Sequence, residues 1–159
     1  MKDWLIIDGY NLLHQISAGS MHGDIARLRK DLLLKLEPLK DIFARRITVV
    51  FDGQLEETQD KPKESEVIEV IYAPPDRSAD SVIESLVWQA AHPENILVVT
   101  SDRLERNAVS ASGADTVASS IFIATIKEQT GYLISRIEKI NKKRENITLG
   151  DFFPKQKND

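Results

Sequence analysis

Apolar and polar residues along the chain alternate between two periods. Trp4-Leu5-Ile6-Ile7 is an unbroken apolar run that meets Asp8-Gly9-Tyr10-Asn11. A short apolar run closed by a turn signal reads as a buried strand of a parallel sheet. Ile47 to Phe51, closed by Asp52-Gly53, repeats the pattern, and so does Ile96 to Thr100, closed by Ser101-Asp102. Val67 to Tyr72 and Asp115 to Ala118 supply two further strands. Between them the period lengthens. Ile25, Leu28, Leu32 and Leu36 fall on one helical face behind Asp24, a good N-cap. Ser78 is placed to cap a helix from Ala79 to about Ala91, and Arg103 to about Ser110 forms another. Leu12 to Gly23 reads as a loop opened by at most a helical turn, and Leu39 to Phe43 as a short helix after Pro38. Ser119 to about Gln129 and Leu133 to Ile140 read as two helices interrupted near Gly131. Gly53 to Ser65 is a polar loop.

Strands alternating with helices predict an α/β fold, a doubly wound parallel sheet with an expected order of 3-2-1-4-5. Ligands in such sheets bind beyond the carboxyl ends of the strands. Three strands therefore each deliver an aspartate (Asp8, Asp52 or Asp102) to one edge. In the order 3-2-1-4-5, strands one and four are neighbours, so Asp8 and Asp102 share a crevice. The helix after Ser78 adds Asp80 and Glu84, four residues apart and hence on one face. Like charges so placed repel unless a cation joins them. Mg²⁺ and Mn²⁺ prefer oxygen ligands, and Asp8, Asp80 and Asp102, with Glu84 close by, meet that need. Each acid also has a plainer reading. Asp80 suits the first turn of a helix dipole, Asp102 can cap its own helix, and Asp52-Gly53 is a common turn pair. Asp8, at the end of a wholly apolar strand, is the hardest to explain without a ligand.

Composition narrows the alternatives. The 159 residues fit one domain, expected over 1–150, with a tail from 151 to 159. There is no cysteine, which excludes disulfides and thiolate chemistry. No apolar run suggests a signal peptide or a membrane span, so the expected location is cytoplasmic. A net charge of −4 means that any nucleic-acid contact must rest on local patches or on a metal. The G-x-x-x-x-G-K-[ST], G-x-G-x-x-G and G-x-S-x-G motifs are absent, so no nucleotide cofactor is expected, and His14, His22 and His92 lack ligand spacing.

The runs Ile7-Asp8-Gly9-Tyr10-Asn11, Val50-Phe51-Asp52, Ser78-Ala79-Asp80-Ser81-Val82-Ile83-Glu84, Thr100-Ser101-Asp102 and Gly113-Ala114 resemble, in order, the motifs of the NYN domain. They are most similar to the YacP-like branch of these PIN-like ribonucleases. The resemblance covers about residues 4 to 125, with Ser78 where Thr is expected. It implies a three-layer α/β/α fold and a Mg²⁺- or Mn²⁺-dependent endoribonuclease with Asp8, Asp80 and Asp102 as metal-binding acids. It also implies Asn11 and Ser101 as their supports, and Glu84 as a ligand or the neighbour of one; Asp52 joins Asn11 and Ser101 as an expected supporting residue. Its implied partners are RNA, messenger RNA above all, and the ribosome. On this reading Arg103 and Arg106 hold flanking phosphates, and Tyr10 can stack on a base. Two rivals stand beside it. One is a non-catalytic RNA- or ribosome-binding module of the same fold. The other is a haloacid-dehalogenase-like phosphatase, which needs a second acid where Tyr10 stands.

Overall fold

The computed structural model describes residues 1–17, 23–53 and 63–145. Five strands, β1 (Lys2–Asp8), β2 (Ala44–Phe51), β3 (Glu69–Tyr72), β4 (Ile96–Val99) and β5 (Asp115–Val117), form one sheet in the order β3-β2-β1-β4-β5. Every pairing is parallel. The expected order 3-2-1-4-5 is therefore the order of the protein. Register aligns the carboxyl ends: Asp8 lies opposite Val50, Ile7 opposite Val99, Phe51 opposite Tyr72, and Val99 opposite Val117.

The helices are α1 (Gly9–Ile16), α2 (Ile25–Leu36), α3 (Ala79–Gln89), α4 (Arg103–Ala111) and α5 (Ser119–Glu145). Strand residues two apart face the same side, and the packing follows. Ile6, Val50, Ile96 and Val98 bury against Ala79, Val82, Ile83 and Val87 of α3 and Val109 of α4. On the other side α1 packs on β1, β2 and α2, burying Leu12 and Leu13. Burying an aliphatic side chain of this size contributes about 1.5–3 kcal/mol. The central layer is thus covered on both faces, which is why its strands read as continuous apolar runs.

Local chemistry sets several boundaries differently from the sequence pattern. The helix α1 replaces the loop expected from Leu12, because the Asp8 carboxylate accepts the Asn11 amide and caps it at once. The strand β3 starts at Glu69, not Val67, because Ser65 Oγ accepts the amides of Val67 and Ile68 and holds that stretch in a turn. Glu37–Leu39 forms a 3₁₀ turn around Pro38 in place of a helix from Leu39 to Phe43, and the chain reverses through Asp41 at φ 65°. The helix α5 runs through Gly131 without the expected break. An exposed glycine in a helix costs only about 1 kcal/mol.

Packing groups the chain into two units, Met1–Ile123 and Ala124–Asp159. The sheet and helices α1 to α4 belong to the first, and of the second, residues 124–145 are helical. The tail expected from 151 and most of the loop expected between Gly53 and Ser65 lie outside the described residues. No helix among the described residues is long and apolar enough to cross a membrane.

Candidate metal centre

Three acids converge at the carboxyl edge of the sheet. Asp8 closes β1 and is 8% exposed. Its Oδ1 accepts the Asn11 amide at 3.2 Å, so one oxygen is tied to the first turn of α1. Asp80 lies in the first turn of α3, which Ser78 caps by accepting the Ser81 amide at 3.2 Å. The third is Glu105 on α4, only 2% exposed. One carboxylate oxygen from each of Asp8, Asp80 and Glu105 lies within 4.8 Å of the others. Both Glu105 oxygens are buried, with the Thr100 hydroxyl and the Asp80 carboxyl as their polar neighbours.

The electrostatics follow from that burial. Loss of water pushes Asp8 up to about 7, with the charges of Asp80, Asp52 and Asp102 adding to the shift against the Asn11 amide. Burial, and then the charges of Asp8 and Asp80, push Glu105 up to about 8. Asp80 is raised by burial and by Asp102. Burying a carboxylate is costly, and here buried Asp8 and Glu105 stand beside half-buried Asp80. A hard divalent cation offsets both burdens, because its preferred ligands are carboxylate oxygens and water. The donor set is all oxygen and contains no imidazole or thiolate. The residues present therefore fit a cation, without specifying which one.

The other acids have different partners. Asp102 is exposed and caps α4, its Oδ1 accepting the amides of Leu104 at 2.8 Å and Glu105 at 3.3 Å. Asp52 Oδ1 accepts the Ala79 amide at 2.8 Å, at the start of α3. Glu84 is exposed. None of these three is in the converging group. Asn11 Oδ1 accepts the Ser101 amide at 2.9 Å and the Ser119 hydroxyl at 2.7 Å. Ser101 Oγ in turn accepts the Ser119 amide at 3.2 Å. One amide side chain thus ties the segment after β1 to those after β4 and β5. Arg103 is exposed, and Arg106 is half-buried with its Nε lacking a partner. Tyr10 is half-buried, its ring edge-on to Phe51 at 5.0 Å and its hydroxyl accepting from Arg29 at 3.4 Å.

Sequence reasoning missed Glu105 and Ser119. Glu105 sits in a polar-looking helix, Arg103-Leu104-Glu105-Arg106-Asn107. The available signal was its spacing: Glu105 is one turn before Val109, and both are on the buried face of α4.

Fold and site together define a three-layer α/β protein with a cation-competent acidic centre at the sheet's carboxyl edge, an arrangement consistent with a nuclease-like fold. The chain belongs to the YacP-like NYN domain family, whose model it matches over residues 5–157. It is 30% identical over 119 residues to "Uncharacterized protein YacP" of Bacillus subtilis (strain 168), covering 70% of this chain and 68% of that one. Its fold is similar to the crystal structure of Rae1 (YacP) from Bacillus subtilis, with TM-score 0.71 and 25% identity over 90% of this chain and 84% of that one. A tryptophan-to-leucine mutant of Rae1 gives TM-score 0.72 and 24% identity over 94% and 88% of the two chains.

Proposed function

We propose that this chain is a Mg²⁺- or Mn²⁺-dependent endoribonuclease that hydrolyses phosphodiester bonds of RNA, with messenger RNA on the ribosome as its setting. The observation that carries this reading is the convergence of Asp8, Asp80 and Glu105 within 4.8 Å, with both Glu105 oxygens buried. Membership in the NYN family supports a nuclease-type hydrolase.

Asp8, Asp80 and Glu105 would hold the cation, with Asp102 beside them at the head of α4. A bound divalent cation supplies acidified water and neutralises charge on a phosphate. The protein's own part is positioning. Asn11 and Ser101 tie the ends of β1 and β4 to each other. Arg103 and Arg106 stand on α4 beside Glu105, where cationic side chains can take the phosphates flanking the scissile bond. Tyr10, two residues past Asp8, is the residue that would stack on a base. Without a cation the acidic centre repels RNA, so binding depends on both metal and ionic strength.

The test is incubation of the purified protein with a long single-stranded RNA in Mn²⁺ or Mg²⁺, beside chelator and Asp8→Asn controls. Cleavage abolished by both controls, giving 5′-phosphate and 3′-hydroxyl ends, is the expected result. RNA binding that ignores chelator, without cleavage on naked RNA or on translating ribosomes, would replace this reading with that of a binding module.

A further inference from the structure

The exposed carboxylate of Asp52 lies outside the converging group, yet it is not a free loop acid. Its backbone is fixed on both sides. Phe51 O accepts the Ala73 amide at 2.8 Å, continuing the β2–β3 ladder by one bond. Gly53 lies so close to the next peptide that a Cβ there would stand 1.7 Å from Ala73 O. Between these two anchors the Asp52 side chain reaches the first residue of α3 and accepts the Ala79 amide at 2.8 Å.

That amide matters because a helix starts with unpaired N–H groups. In α3, Ser78 Oγ accepts the Ser81 amide, and Asp52 accepts that of Ala79 from across the sheet edge. Asp80 is the next residue. The position of its carboxylate relative to Asp8 is thus set by a bond from the end of β2, the strand paired with β1. Phe51 completes the mount. Its ring is fully buried and lies under Gly9, where a Cβ would come within 2.3 Å of it. Adjacent residues of one strand end therefore brace both segments that carry Asp8 and Asp80.

We infer that Asp52 is a positioning residue for the cation centre, acting through the Ala79 amide to hold the first turn of α3 and Asp80 in place, and not a ligand. The inference rests on the cation centre proposed above. What it requires of Asp52 is a hydrogen-bond acceptor at Oδ1. A ligand would instead need the negative charge.

Asp52→Asn keeps an oxygen acceptor and removes the charge, whereas Asp52→Ala removes both. Mn²⁺ affinity is measured by titration calorimetry for both variants, for the unaltered protein and for Asp8→Asn. Protection of the Ala79 amide is followed by hydrogen exchange. Loss of outer partners of metal ligands typically weakens affinity about 10- to 100-fold, and that is the loss expected for Asp52→Ala, together with faster exchange at Ala79. Asp52→Asn retains affinity and protection close to those of the unaltered protein. If Asp52→Asn loses Mn²⁺ as completely as Asp8→Asn, Asp52 is a ligand and the inference fails. Unchanged affinity in Asp52→Ala also overturns it. Should Asp52→Ala not fold, Asp52→Asn decides alone, since a ligand and a brace predict opposite results for it. An unaltered protein that binds no Mn²⁺ would overturn the cation centre itself, an outcome distinct from any difference among the variants.

Discussion

Asn11 Oδ1 accepts the hydroxyl of Ser119 at 2.7 Å, joining the first turn of α1 to the first residue of α5. The same oxygen accepts the Ser101 amide, so one side chain satisfies two donors from distant parts of the chain. Asn11→Ala would leave both donors without that acceptor. The expected loss is about 1–3 kcal/mol, the cost of unsatisfied donors in a partly buried setting, read as a lower urea midpoint with unchanged slope. Asn11→Asp keeps the acceptor and should lose less. Equal losses for the two variants would mean that the amide nitrogen or the added charge, not the shared oxygen, decides the outcome.

Two glycines should resist enlargement to different degrees. At Gly9 the added methyl would meet the Phe51 ring at 2.3 Å, and at Gly53 the Ala73 carbonyl at 1.7 Å. A ring can give by rotation and a small shift, so Gly9→Ala should cost about 1–3 kcal/mol. A carbonyl held in a sheet extension cannot turn aside as easily, so Gly53→Ala should cost more. For a chain of this length each kcal/mol lowers Tm by about 2–4 °C. Thermal unfolding that ranks Gly9→Ala as the worse variant would contradict the difference in contacts.

The raised acids give the cation-free protein a definite pH dependence. Burial raises Asp8 to about 7 and Glu105 to about 8 in the folded chain, whereas both return to ordinary carboxylate values on unfolding. Between roughly pH 4 and pH 8 the folded state therefore holds more protons than the unfolded state, and its stability falls as pH rises. Mn²⁺ must displace those protons, so its affinity should increase through the same window. The Tm increase on adding Mn²⁺ should be larger at pH 8 than at pH 6. Calorimetry in buffers of different ionisation enthalpy should register proton release near pH 7. A Mn²⁺ shift that is equal at both pH values would contradict this linkage.

Glu105→Gln should separate stability from binding. The amide replaces a carboxylate that is fully buried beside the like charges of Asp8 and Asp80, so the cation-free protein should become more stable at pH 8. Mn²⁺ affinity should fall by at least about tenfold, as expected on loss of a ligand. Glu84→Gln, an exposed position on α3 outside the converging group, should leave Mn²⁺ binding unchanged. The reverse pattern would place the metal one turn further along α3.

Strand order and the sheet's acidic edge were legible in the chain because buried parallel strands leave unmistakable apolar runs. Asp8, Asp52 and Asp102 each end such a run. The sequence does not say which acids face inward. Asp102 and Glu105 are three residues apart on the same short segment, yet the exposed one caps the helix and the buried one joins Asp8 and Asp80. That division depends on the rotation of α4 against α3, a tertiary fact. Asp80 and Glu84 share a helix face by spacing, but α3 buries Ala79, Val82, Ile83 and Val87, which leaves Glu84 exposed and Asp80 half-buried. The boundaries of α1 and β3 turned on single side-chain caps, Asp8 and Ser65, which hydrophobic period cannot register.

The converging acids come from β1, α3 and α4, three elements in the order in which the chain is made. A nascent chain released only as far as α3 would carry Asp8 and Asp80 but not Glu105, and would lack both β4 and β5. The proposed cation site thus needs α4 as well as β1 and α3. A chain that has not yet released α4 could not assemble it, and in the proposed setting this would delay any cutting until that helix has folded onto the sheet.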